Sequence, residues 1–179
     1  KDIEDAVRDV RRKVKELIEN SERVVRTVEK LVRELIDHSR KVVREVEKLA
    51  KELIELKRRG DIREEDLKRV KKRVRDLNER NKEEVEKLKR TVKKLNDDDK
   101  RKVETLKEDV DREKKRLRER GVDEEVLKEV DRVLREAEKR SKEINEESKR
   151  VLDKAERDSR RIDRKSEEVV KRAEEEVRT

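Results

Sequence analysis

The fold is decided at two short stretches of sequence, and the first of them is KRRGD at positions 57–61. It follows a long segment in which apolar residues recur at helical spacing. Basic side chains before Gly60 suit the negative end of a helix dipole, and glycine readily adopts the left-handed conformation that follows a helix. Asp61, with Glu64 three residues later, fits a capping box. The stretch therefore predicts one helix that ends near residue 59 and another that begins at residue 61.

The second stretch is RERGVD at positions 118–123, which repeats the same chemistry. Gly121 is predicted to end the second helix, and Asp123 to cap the third. Val122 and Leu127 occupy the N′ and N4 positions of a hydrophobic staple, which sets the angle at which the chain enters a helix. The sequence therefore places a second tight turn here.

Three helices of nearly equal length follow from these boundaries. They are predicted over about 2–59, 61–120 and 123–178, with Asp2 as the N-cap of the first. Turns this short make neighbouring helices antiparallel. We therefore expect an all-α fold, an elongated antiparallel three-helix bundle with up-down-up topology, formed by residues 1–179 as a single domain.

Apolar residues repeat every 18 positions along each predicted helix. Eighteen residues make five turns at 3.6 residues per turn, whereas a heptad repeat imposes a left-handed supercoil. The repeat therefore predicts nearly straight helices. Its clearest examples are Val7, Val25 and Val43; Val10, Val28 and Val46; Leu17, Leu35 and Leu53; Val70, Leu88 and Leu106; Val74, Val92 and Val110; and Ala137, Ala155 and Ala173.

Polar residues recur at the same period within the apolar stripe, where a buried group is costly unless it is hydrogen-bonded. We expect them to face one another in layers. One predicted layer combines Ser21 and Asn81 with a serine of the third helix, and the next combines Ser39, Asp99 or Asn96, and another serine. Satisfied layers penalise wrong registers and wrong partners. The predicted structural polar network is Ser21, Ser39, Asn78, Asn81, Asn96, Asp99, Ser141, Ser148, Ser159 and Ser166.

The composition argues against catalysis and cofactor binding. Charged residues make up 61% of the chain, and Cys, Met, Pro and all aromatic residues are absent. Without cysteine there is no thiolate nucleophile and no zinc site of the usual kind. Glycine-rich phosphate loops and metal-ligand spacings are missing too. His38, the only histidine, lies at the edge of an apolar face. A residue that joins a network or faces solvent is favoured there, and a pH switch is the alternative. We predict no catalytic, cofactor-binding or metal-binding residues, and no enzyme.

The combined pattern resembles a known class of proteins. Equal helices, glycine turns, an 18-residue period and polar residues within the core are similar to de novo designed, parametrically generated helical bundles with buried hydrogen-bond networks. The segment RSKEI at 140–144, echoed by DSRRI at 158–162, resembles the outer helices of designed multi-helix assemblies. The resemblance covers the whole chain. It implies a very stable scaffold or assembly module without an active site.

The state of association is left open by the sequence. A monomer is favoured, because the three apolar arcs can close on one axis. The first helix is the most apolar, however, so a partner helix from another chain or symmetric self-association is the alternative. The residues that would face such a partner form two flanks of its apolar arc: Val24, Leu31 and Leu49, and Ile18, Ile36 and Ile54.

Nucleic-acid and membrane binding are disfavoured. The second helix is basic enough for phosphate contacts, but carboxylates are interleaved with its cations and no aromatic side chain can stack on bases. No apolar run approaches the roughly 18 residues of a membrane span, so we expect a soluble protein. The cations that a nucleic acid would contact are Lys68, Lys71, Lys72, Arg75, Lys89, Lys93 and Lys94.

Overall fold

Three long α-helices account for almost the whole chain in a computed structural model, which describes residues 2–179 and the side chains from Ile3 onward. Helix α1 spans Asp2–Arg58, α2 spans Glu64–Glu119 and α3 spans Glu124–Arg178. The predicted all-α fold with three helices is confirmed. The capping role predicted for Asp2 lies outside the described side chains.

The α1–α2 turn differs from its prediction. The Gly60 N–H donates to the Lys57 carbonyl, and the Asp61 N–H donates to the Leu56 carbonyl, both at 3.0 Å. These bonds define a Schellman motif, with Gly60 at φ 74° as its left-handed residue. The Asp61 N–H is therefore used to end α1, and the prediction that Asp61 begins α2 at residue 61 is wrong.

Helix α2 begins at Glu64, three residues later than predicted, and the α1–α2 turn is therefore longer than the α2–α3 turn. Arg63 occupies the N-cap position, and its N–H donates to Asp66 Oδ2 at 3.0 Å. This is the backward half of a capping box, made by Asp66 and not by Glu64. Ile62 and Leu67 lie in the same apolar cluster, at the N′ and N4 positions of a staple.

The α2–α3 turn follows its prediction closely. Gly121 at φ 71° donates its N–H to the Arg118 carbonyl at 3.0 Å, and Val122 donates to the Leu117 carbonyl at 3.1 Å. Because α3 begins at Glu124, Asp123 holds the N-cap position. Leu127 at N4 is buried, which fits its predicted part in the staple.

Replacing Gly121 by alanine is expected to lower the free energy of unfolding by about 1 kcal/mol, because a Cβ is disfavoured at positive φ. No heavy atom lies within 4 Å of the position of that Cβ, so the cost comes from the backbone alone. Chemical denaturation followed by circular dichroism measures it. Glu119→Ala, at an exposed helical position nearby, is the control. Equal effects of the two substitutions would contradict this explanation.

The chain forms two compact units, and each helix contributes a segment to both. The first unit contains residues 2–29 and Thr91–Arg150, and the second contains Lys30–Arg90 and Val151–Thr179. Each unit has its own apolar cluster, with Val10, Leu106 and Val130 in the first and Val46, Leu53 and Val70 in the second. The prediction of a single domain stays a prediction.

Ion pairs between α2 and α3 show how these helices are aligned within each unit. In the second unit, Nζ of Lys71 lies 2.7 Å from Glu174 Oε1, and Nζ of Lys89 lies 2.7 Å from Glu156 Oε1. In the first unit, Nζ of Lys107 lies 3.4 Å from Glu138 Oε2. The residue numbers of each pair add up to the same total, as antiparallel helices require. Successive pairs are separated by one full period of the sequence repeat.

The 18-residue repeat predicted from sequence marks positions that are buried in both units. Val10, Val28 and Val46 are at most 4% exposed, although they come from different turns of α1. Ala137, Ala155 and Ala173, which follow the same repeat on α3, are at most 3% exposed. Because one face of each helix points to the core at intervals of five turns, each unit is built from the same pattern. The predicted straightness of the helices stays a prediction.

Candidate functional site: two buried polar layers

The first unit contains a polar layer centred on Asp99 of α2, which we call the Asp99 layer. Ser21 of α1 donates its hydroxyl to Asp99 Oδ2 at 2.7 Å, and Ser141 of α3 donates to the same oxygen at 3.1 Å. Asn20 donates its amide to Asp99 Oδ1 at 2.9 Å. Lys102 in turn donates to Asn20 Oδ1 at 3.1 Å. All three helices of this unit therefore meet at one carboxylate.

The geometry of the Asp99 layer suits an ionised carboxylate. Asp99 is only 1% exposed, and Ser21 and Ser141 are equally buried. An ionised carboxylate accepts hydrogen bonds at both oxygens and donates none, and here three donors converge on it. Burying a charge is costly unless it is paired or hydrogen-bonded, and these donors offset that cost.

The second unit contains a layer centred on Asn81 of α2, which we call the Asn81 layer. Ser39 of α1 donates its hydroxyl to Asn81 Oδ1 at 2.9 Å. The amide nitrogen of Asn81 donates to Ser159 Oγ and to Asp163 Oδ1, both on α3 and both at 3.0 Å. Asn81 thus uses its acceptor toward α1 and its donors toward α3.

The predicted layer partners are wrong for α2. Ser21 was expected with Asn81, and Ser39 with Asp99 or Asn96, whereas the structure pairs Ser21 with Asp99 and Ser39 with Asn81. The physical reason is direction. Because α1 and α2 are antiparallel within each unit, a position one repeat later on α1 meets a position one repeat earlier on α2.

Two residues of these layers were missed by the sequence argument. Asp163 accepts from Asn81, and Asn145 occupies the equivalent position one repeat earlier on α3, where it is 5% exposed. They directly follow Ile162 and Ile144, so the repeat itself contained the signal. The Asp99 layer has its aspartate on α2 and asparagine on α3, and the Asn81 layer has the reverse. Each layer therefore holds one carboxylate.

The other four residues of the predicted network are buried, and each has one side-chain oxygen that forms no hydrogen bond. Asn78 and Asn96 on α2 have an unpartnered Oδ1, and Ser148 and Ser166 on α3 have an unpartnered Oγ. Each is at most 7% exposed. Members of each pair are one repeat apart, as the members of the layers are. They are buried polar positions, but none of the layer hydrogen bonds described above reaches them.

Within the described part of the chain, no group of three or more His, Cys, Asp or Glu side chains is arranged to hold a metal ion. His38 is exposed. Over the same residues, none of the helices combines the length and apolar character needed to cross a membrane. What the two layers can do chemically is to donate and accept hydrogen bonds between helices.

Replacing Asp163 by asparagine is expected to raise the free energy of unfolding by about 1 kcal/mol at pH 7. Burial raises the pKa of Asp163, while the hydrogen bond from Asn81 and the charge of Lys82 lower it and Glu167 raises it. The folded chain therefore binds this proton more tightly than the unfolded chain does. Stability due to this group is full below the ordinary aspartate pKa of about 3.9 and is lost as pH rises through the raised value.

Unfolding curves at several pH values, for the parent chain and Asp163→Asn, measure this difference. An amide oxygen at position 163 still accepts from Asn81 but carries no charge to desolvate. Asp158→Asn, at a half-buried α3 position, is the control for losing one negative charge. A gain that does not shrink as the pH falls would contradict the assignment to Asp163 ionisation.

Comparisons with known proteins agree with this architecture. No protein-family profile matches the chain, and no curated protein matches it. Among solved structures, the chain is similar to one described as a computationally designed three helix bundle. The TM-score is 0.87 at 19% sequence identity, and the match covers 98% of this chain and 90% of that one. The two proteins share a fold, that of a three-helix bundle.

Proposed function

We propose that this chain is a designed structural scaffold that is complete as a monomer and has no catalytic activity. The observation that carries the proposal is that the six central residues of the two polar layers find hydrogen-bond partners on the helices of a single chain. Ser21, Asp99 and Ser141 come one from each helix, as do Ser39, Asn81 and Ser159, and all are hydrogen-bonded within one chain. Buried polar groups must be satisfied to be stabilising, and three helices suffice for these six.

The flanks of α1 also support a self-contained bundle. Val24 is buried, and Ile18, Leu31, Ile36, Leu49 and Ile54 are half-buried. Among the described residues, Ile3 is the one large apolar side chain that counts as exposed, at 38%. Stable protein interfaces usually need about 800 Å² from each partner, with an apolar centre. Side chains that are already half-buried within the chain are a poor basis for such an interface.

The basic composition of α2 suggests nucleic-acid binding, but the contacts of its cations argue against it. Two of its candidate cations, Lys71 and Lys89, are ion-paired with Glu174 and Glu156 of α3. A phosphate would have to displace these carboxylates. The similarity to a computationally designed bundle and the repeated layers favour a structural role instead.

Size-exclusion chromatography with multi-angle light scattering tests the proposal. We expect a mass near 21.8 kDa that is constant across a hundredfold range of protein concentration. A mass of twice or more that value would contradict the monomer and favour helix-mediated association, the second candidate. One surface on which this association can be tested is a groove of about 470 Å³ between α1 and α3, with Ile36, Val43 and Ile162 among its lining residues.

The variant Ile36→Glu separates the two cases, because it places a charge in that groove. If the chain associates there, this variant is expected to return it to the monomer mass. Val32→Glu, at a half-buried α1 position outside the groove, is the matched control. A monomer whose mass neither substitution changes agrees with the scaffold proposal.

A further inference from the structure

The α1–α2 turn is the longest non-helical stretch between residues 2 and 179. Residues 59–63 separate α1 from α2, whereas residues 120–123 separate α2 from α3. Arg59, Gly60 and Asp61 are all exposed. Exposed turns are the preferred sites of proteolytic cleavage, because little structure has to open before a protease can bind the backbone.

Lys and Arg are abundant in this chain, but within residues 2–179 almost all of them lie in helices. Between the helices, they are Arg59 and Arg63 in the first turn and Arg120 in the second. A peptide bond inside a helix must unfold locally before a protease can bind it, and cleavage then follows the small population of the open form. A protease that cuts after basic residues therefore meets few accessible bonds.

Arg59 is the most accessible of these three arginines. Its side chain has no hydrogen bond or ion pair among the described residues, whereas Arg120 takes part in an interaction within the chain. Arg63 is held by the bond from its N–H to Asp66, and its neighbour Ile62 packs against the apolar cluster of the second unit. The guanidinium of Arg59 can therefore enter a protease without losing a partner.

Opening the chain at the Arg59–Gly60 bond disturbs the end of α1 and neither polar layer. The backbone bonds that must break are those of the Schellman motif and the 3.1 Å bond from the Arg59 N–H to the Glu55 carbonyl. Helix ends open at a low cost in free energy. No heavy atom lies within 4 Å of the position of a Cβ on Gly60, so the residue after Arg59 is open to a protease as well.

Helix α1 keeps its main contacts when this bond is cut. Ser21 still donates to Asp99 in the first unit, and Ser39 still donates to Asn81 in the second. Leu53, which is 1% exposed, remains in the apolar cluster of the second unit. Because these contacts lie outside the turn, the cut chain stays assembled and its helices stay protected.

We propose that the Arg59–Gly60 bond is a specific cleavage site for trypsin-like proteases, and that the cut chain persists as a complex of residues 1–59 with residues 60–179. The protease adds water across this peptide bond, which leaves a carboxylate on Arg59 and an amino group on Gly60. The specificity pocket of trypsin contains a carboxylate, which suits the unpaired guanidinium of Arg59. This site is independent of the proposed scaffold role.

Limited digestion of the intact, folded chain with trypsin tests the site. The reaction is stopped at intervals, and mass spectrometry of the intact products identifies the bond that is cut. We expect residues 1–59 and 60–179 to be the first products and to accumulate together. In size-exclusion chromatography with light scattering, the cut chain is expected to keep a mass near 21.8 kDa.

A variant without the arginines around Gly60 shows whether the rate depends on this turn. We expect its first cut to be about 3- to 10-fold slower and to fall after Arg120, because Arg120 must first give up one interaction. A control variant with three substitutions at exposed helical positions of α1 is expected to be cut at the rate of the parent chain. The turn variant carries Arg58→Gln, Arg59→Gln and Arg63→Gln, and the control carries Arg23→Gln, Arg26→Gln and Arg33→Gln.

The proposal is overturned if the first cut in the parent chain falls at any other bond, if the two fragments separate, or if the turn variant is cut as fast as its control. Resistance of the parent chain to an amount of trypsin that digests casein completely also overturns it. Circular dichroism establishes that each variant is folded. If the turn variant does not fold, the first bond cut in the parent chain decides the question.

Discussion

Replacing Asn81 by aspartate is expected to lower the free energy of unfolding by about 3–5 kcal/mol at pH 7. The change removes both donors of the amide, which bond Ser159 and Asp163, and places a second carboxylate next to that of Asp163. Two buried carboxylates at this distance cannot both ionise without a large penalty. The loss should be smaller near pH 4, where one carboxyl is protonated and can donate to the other. Guanidinium chloride unfolding followed at 222 nm measures both values.

The rescue of this variant is the sharper test. Asn81→Asp combined with Asp163→Asn gives the second unit the arrangement that the first unit has, with the carboxylate on α2 and the amide on α3. We expect the double variant to recover most of the lost stability at pH 7. If it is no more stable than Asn81→Asp alone, repulsion between two carboxylates is not the cause. The double-mutant cycle isolates that pairwise interaction.

Replacing Asp99 by alanine is expected to cost about 3–5 kcal/mol, because it removes the acceptor shared by three donors. Ser21 and Ser141 would retain only each other, at an Oγ–Oγ distance of 3.2 Å, and Asn20 would lose its amide acceptor. All three helices of the first unit lose a bond at once. The same denaturation experiment measures the effect.

Asp98→Ala is the matched control for this variant, since Asp98 is adjacent on α2 but points away from the layer and pairs with Arg101 at 3.4 Å. Pairs of this exposed kind are worth about 0.3–0.5 kcal/mol. Ser141→Ala, which removes one donor and keeps the carboxylate, should fall between the two at about 1 kcal/mol. Equal losses for Asp99→Ala and Asp98→Ala would show that the buried bonds contribute nothing to stability.

The helix boundaries could be predicted from local chemistry, with one exception. Gly60 and Gly121 end their helices in the expected left-handed conformation, because only glycine adopts it without penalty. The exception is the start of α2. Asp61 fits an N-cap by its side chain, but its backbone N–H is used by the Schellman motif of α1. The residue types around Asp61 fit both a capping box of α2 and the Schellman motif of α1, and they do not by themselves reveal which of the two forms.

The same reasoning from the sequence predicted which polar residues are buried, but it predicted the wrong hydrogen-bond partners for them. The 18-residue period selected Ser21, Asn81 and Asp99, and the structure places all three in the core. Which of them meet depends on the direction of α2. Antiparallel helices were predicted, but the partners were assigned as if α1 and α2 ran in parallel. Asn145 and Asp163 were overlooked although they obey the period.

The sequence by itself therefore determined three helices, two glycine turns and a core stripe that repeats every five turns, because each of these depends on residues close together in the chain. Only the tertiary structure decided which polar groups are satisfied. Asp99 gains three donors and Asn145 keeps a free acceptor. A hydrogen bond needs its two atoms within about 3 Å, and for residues on different helices that distance is set by packing and by the direction in which each helix runs.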